Sequence, residues 1–287
     1  MEKHQKALGE MPIKKLLMKM AAPAIIGMLA NSLYNIVDTI YLGQGVGTLA
    51  IAGLTVALPM QMLIMGISFL VAGGAAAVIS KSLGEKNSEK AYLAAGNAFT
   101  LIIVLSTVIS ILAFIFLCPI LIAFGATTSI MPYASDYLSI ILLGSPFFAF
   151  TVVANNIIRS EGNAKTAMIT MILSLGMNII LDPIFIFGFN LGVKGAAIAT
   201  VISQLFGLVF VLHYFFTKKT SLNLRPEHFV ANKKSIYEIL ALGSSDFVRQ
   251  VTFIILAIVI QNSLRYYGGE MYIAVYGIIN RIQMFVM

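Results

Sequence analysis

Charge is what this chain has least of: Asp, Glu, Lys and Arg make up 11% of its 287 residues, against 59% hydrophobic. With a mean hydropathy of +0.92, that scarcity excludes a soluble globular domain. Cysteine is nearly absent too. The single Cys118 rules out an intrachain disulfide, and beside Pro119 in an apolar run it reads as a small buried hydrophobe. With so few Cys and His, no cluster suggests a metal enzyme. A cleavable signal peptide is also missing, because the start MEKHQKALGEMPIKK stays polar too long and the apolar run after it is too extended.

What is present is length in apolar runs. A spanning helix needs about 20 mostly apolar residues. Seven such runs stand at 14–41, 50–80, 91–124, 132–158, 165–188, 194–217 and 235–266, with an incomplete run from 271. They are continuous rather than alternating over about ten residues, so helices are expected and not barrel strands. The fold class is therefore all-α integral membrane. The chain stops at Met287 inside apolar sequence and reads as a C-terminally truncated fragment.

The net charge of +7 could suggest nucleic acid, but its distribution speaks against that partner. Basic residues crowd the amino terminus (Lys3, Lys6, Lys14, Lys15, Lys19), the second loop (Lys81, Lys86, Lys90), the fourth (Arg159, Lys165) and the sixth (Lys218, Lys219, Arg225, Lys233, Lys234). The odd loops supply only Lys194 and Arg265. This alternation follows the positive-inside rule and predicts a multi-pass protein of the cell membrane with a cytoplasmic amino terminus.

The longest polar connection divides the chain into 1–217 (six helices), a cytoplasmic linker 218–234, and 235–287, which echoes the beginning. At an offset of 222 residues Ile51-Ala52 faces Ile273-Ala274, Gln61-Met62 faces Gln283-Met284 and Met65 faces Met287. An even number of intervening helices makes this a parallel repeat, and a complete protein would need roughly 440 residues by that logic. Asn280 and Arg281 have no polar counterpart at Leu58 and Pro59, so the halves differ in chemistry.

Two acids stand inside apolar runs, Asp38 and Asp182. A carboxylate in hydrocarbon is costly and faces a polar cavity, a partner or an ion path. On the first helix Asn31, Tyr34, Asn35, Asp38 and Tyr41 recur at three- and four-residue spacing and form one polar stripe. Interhelical hydrogen bonding is the alternative use of its amides. On the fifth, Asn178 and Asp182 share a face. Pro183 cannot donate to the carbonyl of Ile179, which predicts a loosened helix there. Freed carbonyls, an amide and a carboxylate are hard oxygen ligands suited to Na+ or to a proton relay. Ala196 and Thr200 lie one turn apart on the sixth helix, where a carbonyl and a hydroxyl could complete such a site; close packing of small residues is the alternative.

The phrases LYNIVDTIYLG at 33–43, IRSEGNAK at 158–165, NIILDP at 178–183 and GVKGAAIAT at 192–200 resemble the multidrug and toxic compound extrusion (MATE) family, in particular its bacterial branch with coupling acids in the first lobe. The resemblance spans essentially the whole chain. It implies a six-helix N-lobe plus the first one to two helices of a repeated C-lobe. It also implies a first-lobe cation site at Asp38, Asn178, Asp182, the Ala196 carbonyl and Thr200, with Na+ held by Asp38, Asn178, Asp182 and Thr200 if Na+ is the ion. Arg159, Gly162 and Lys165 match the end of the fourth helix, where a structural role is implied. The proline the family carries near Ser245 is absent here.

The function expected is secondary antiport: amphipathic or cationic organic drugs leave in exchange for H+ or Na+, with no enzyme activity, no other cofactor and a monomeric protein among membrane lipids. The Met and Phe residues could line an adaptable chamber. The 287-residue chain alone is not expected to transport. A lipid-linked saccharide flippase of related fold would need basic residues in the cavity, whereas Arg249 and Arg281 are confined to the second half. An intramembrane aspartyl protease built on Asp38 and Asp182 would need a glycine-flanked aspartate, and Asp182 precedes proline.

Overall fold

The computed structural model describes residues 12–217, 220 and 222–286. Lys3, Lys6, Lys218, Lys219 and Met287 lie outside them, as do the side chains of Asn31, Tyr34 and Asn35. All regular structure among the described residues is helical: α1 (Ile13–Gly45), α2 (Thr48–Gly84), α3 (Ser88–Ile115), α4 (Leu117–Ala123), α5 (Met131–Ser160), α6 (Ala164–Pro183), α7 (Gly192–Phe216), α8 (Lys233–Gly268) and α9 (Glu270–Val286). Six of these are long and apolar enough to cross a membrane: α2, α3, α5, α6 with the turn that follows it, α7 and α8. The protein is a multi-pass membrane protein.

Three expectations need correction, and proline accounts for two of them. The run 91–124 is not one helix but breaks at Phe116. In an uninterrupted helix Pro119 would clash with the carbonyl of Ile115 and leave it without a donor. Restarting at Leu117 moves Pro119 into a first turn, where its missing N–H costs nothing. Around Pro183, α6 stays α-helical through the proline and widens afterwards into a π turn, Ile184–Gly188, closed by the Phe189 N–H on the Ile184 carbonyl at 2.9 Å. The loosening thus falls beyond Asp182 rather than before it. Cys118 is exposed, not buried, because α4 turns that side of its short surface helix away from the bundle.

The repeat is visible in the backbone. Helices α2 and α9 start 222 residues apart, at Thr48 and Glu270. Each follows a glycine with positive φ, Gly47 at 103° and Gly269 at 73°. Other residues adopt that conformation only at a cost, so both copies use the same hinge between their first two helices.

α2 is the central element. It packs on α5, α8, α3 and α9, and its small residues permit close approach: a methyl at Gly74 would collide with the Ile239 carbonyl, and one at Gly243 with that of Leu70. Such contacts suit helices whose association gains nothing from expelling water. One apolar cluster, including Leu42, Leu54, Leu138, Leu142 and Ile273, fills the end nearer the α1–α2 turn. A second, around Phe99, Ile102, Ile157, Ile158 and Ile239, fills the end bearing the basic loops.

At that basic end the linker is strapped down. Asn97 on α3 donates to the His228 carbonyl at 3.1 Å and accepts from the Asn232 N–H at 2.7 Å. Thr100 donates to the Phe229 carbonyl. The His228 Nδ1 accepts from the Arg225 N–H at 3.0 Å, so its Nε2 carries the proton shared with Glu89 at 2.9 Å. Thr220 and Tyr214 both donate to the buried Glu161, at 2.6 and 3.2 Å. Gly162 supplies the positive φ of the turn before α6, and Asn163 caps that helix.

Candidate functional site

Three helices bring the sequence-singled acids together. Asp182 ends α6 and is fully buried; Asp38 lies on α1, which packs along α6, and is 4% exposed. Asn178, one turn before Asp182, donates through Nδ2 to Asp182 Oδ1 at 3.2 Å and to Thr200 Oγ1 on α7 at 3.3 Å. The i, i+4 spacing explains the first bond. The second requires α7 to approach α6 closely, and Gly195 allows it: a Cβ there would stand 2.6 Å from the Phe185 carbonyl in the π turn. Ala196, one turn before Thr200, is fully buried in the apolar cluster.

Asp38 Oδ1, Asp182 Oδ2 and Asn178 Oδ1 are buried without a hydrogen-bond partner. Buried polar atoms nearly always find one. Leaving one unmade costs about 1–3 kcal/mol. Three in one cluster, all acceptors and none donors, have the donor chemistry to take a proton or a hard cation.

The structure adds residues that were not among the site candidates read from the sequence. Arg281 from α9 is buried and donates through Nη1 to Thr39 Oγ1, next to Asp38; its positive charge acts on the Asp38 carboxylate. Tyr137 from α5 is buried, hydrogen-bonds Gln61 on α2, and lies within electrostatic reach of Asp38, Arg281 and Asp182. Arg281 therefore belongs to the same cluster as Asp38, although it comes from the second half. Six helices meet at the site: α1, α2, α5, α6, α7 and α9.

The polar stripe of α1 divides. Asp38 enters the cluster. Tyr41 is half-buried and packs edge-on against Phe187 with ring centroids 6.1 Å apart. Asn31, Tyr34 and Asn35 lie on the backbone of α1, with side chains outside the described residues. No cluster of three His, Cys, Asp or Glu occurs among the described residues.

A family model described as MatE matches residues 23–184. The multidrug export protein MepA of Staphylococcus aureus is 30% identical over 274 residues, which cover 96% of this chain and 60% of that protein. MepA of Staphylococcus haemolyticus is 32% identical over 276 residues, covering 96% and 61%. Among solved structures, a ligand complex of the MATE multidrug transporter DinF-BH shares 45% identity at a TM-score of 0.92, covering 97% of this chain and 63% of that one. A MOP superfamily transporter from Pyrococcus furiosus, described as having a binding pocket of reverse polarity, shares 29% at 0.86, covering 95% and 60%. The chain thus spans about three fifths of the length of the relatives it matches.

Proposed function

This chain belongs to the MatE family, and on that premise we propose that it carries the ion-coupling lobe of a secondary antiporter expelling amphipathic, cationic organic molecules against H+ or Na+. The observation that carries the reading is the set of three partnerless buried oxygens on Asp38, Asn178 and Asp182. The relatives named as multidrug export proteins support the substrate class. On this reading residues 1–217 form the first lobe, 218–234 the linker and 235–287 the opening of the second lobe. The amino terminus and the strapped basic end face the cytoplasm, and the protein works as a monomer in the cell membrane.

The chemistry follows from charge. Two carboxylates in one apolar pocket cannot both stay ionised cheaply, and Arg281 balances only one of them. One monovalent cation completes the balance. Bound as a proton or as Na+ among Asp38, Asn178, Asp182 and Thr200, with the Ala196 carbonyl one turn away, it removes the charge that attracts a cationic drug. Loss of the ion restores that attraction on the other side. One pH unit of gradient supplies about 1.4 kcal/mol per proton, and 100 mV supplies about 2.3 kcal/mol per net charge moved.

The test is efflux of a cationic dye by the full gene product in proteoliposomes under imposed H+ and Na+ gradients. Asp38→Asn and Asp182→Asn should each abolish the gradient-dependent component. Undiminished gradient-driven efflux in both variants refutes the proposal.

A further inference from the structure

Arg281 is a cation buried at 7% exposure in a protein that keeps most of its charge in loops. A buried guanidinium needs compensation, and its hydroxyl partner Thr39 is neutral. The acid whose charge it meets is Asp38, the residue preceding Thr39 on α1. This contact also crosses the repeat: α9 packs on α1 and α2, and residue 281 faces Pro59 in the first copy, so the repeat itself does not demand an arginine.

From the Arg281–Thr39 hydrogen bond beside the buried, partnerless Asp38 oxygen, we infer that Arg281 is a tethered counter-cation occupying the position relative to Asp38 that a cationic substrate or coupling ion takes. It rests on the function proposed above and names a residue that sets its charge selectivity. While Arg281 is seated, α9 is pinned to α1 and Asp38 is partly neutralised. A diffusible cation that neutralises Asp38 displaces Arg281 from its electrostatic partner and frees α9 to move relative to α1. Uncharged molecules gain nothing at Asp38 from the exchange.

The test is equilibrium binding to the purified full gene product, read by fluorescence polarisation without any gradient. The probes are a cationic rhodamine ester and an uncharged dye of similar size. Removing the tethered charge with Arg281→Met should tighten cationic-dye binding about tenfold, which is about 1.4 kcal/mol, and leave the uncharged dye unchanged. Arg281→Lys should stay near the parent protein. The double variant Asp38→Asn with Arg281→Met should bind the cationic dye no more tightly than Asp38→Asn alone. Should Arg281→Met fail to fold, Thr39→Val unseats the guanidinium and should tighten cationic-dye binding about threefold. Equal shifts for both dyes, no shift at all, or tightening that persists with Asp38→Asn overturns the inference. The outcome is separable from the proposed function, since coupled efflux with unshifted dye binding removes only the role of Arg281.

Discussion

The Asp38–Asp182 cluster and the strap at the basic end both bury polar side chains, and the two are finished differently. In the strap these described groups have their complements: Asn97 uses both ends of its amide, Glu161 receives two hydroxyl donors, and the His228 ring is engaged at both nitrogens. In the acid cluster three oxygens are left over, and the donors Asn178 and Arg281 serve other atoms first. A satisfied network holds the linker to the bundle and has no capacity for a ligand. An unsatisfied one lowers stability and, on the function proposed above, leaves room for a cation. On that reading the contrast separates polar residues kept for architecture from those kept for exchange, a division that burial alone does not make.

The comparison can be broken most visibly at the acids. Asp182→Asn should abolish gradient-driven dye efflux, a loss of at least about tenfold, while costing no stability, since an amide avoids a buried charge. Next comes the strap. Asn97→Ala removes two bonds to the linker and strands a buried carbonyl, for a cost of about 2 kcal/mol read as a lower unfolding temperature in detergent, with efflux per folded molecule nearly unchanged. Thr220→Val takes one donor from Glu161 and should cost about 1 kcal/mol in the same assay. The smallest effect is expected at the exposed rim of the strap. Lys90→Met breaks the 2.8 Å pair with Glu238 and should change stability by less than about 1 kcal/mol. A large loss there, or a large loss of efflux in Asn97→Ala, would erase the distinction.

Part of this was written in the order of residues. The long apolar runs gave the helices, and the i, i+4 relation of Asn178 and Asp182 survives as a hydrogen bond because helix geometry is local. Gly47 and Gly269, 222 residues apart, confirm a repeat suggested by Ile51-Ala52 and Ile273-Ala274. Arg281, Thr39, Tyr137 and Gln61 were not legible as one site, since they come from four helices whose mutual placement depends on packing. Pro183 signalled a disturbance, whereas Pro119 passed unread inside the run 91–124. Their consequences, a restart at Leu117 and a π turn after Asp182, depend on which neighbouring turn can absorb the missing bond. The linker read only as polar, because its order comes from partners on α3 and from Glu161 at the end of α5.

The most direct measurement pairs thermal unfolding in detergent with reconstituted efflux for two variants of the full gene product, Asp182→Asn and Asn97→Ala. The account predicts a crossing. Asp182→Asn unfolds at or above the parent temperature yet loses gradient-coupled efflux, whereas Asn97→Ala unfolds several degrees lower, roughly 2–4 °C per kcal/mol, and keeps efflux per folded molecule. A much less stable Asp182→Asn beside an unaffected Asn97→Ala would contradict it.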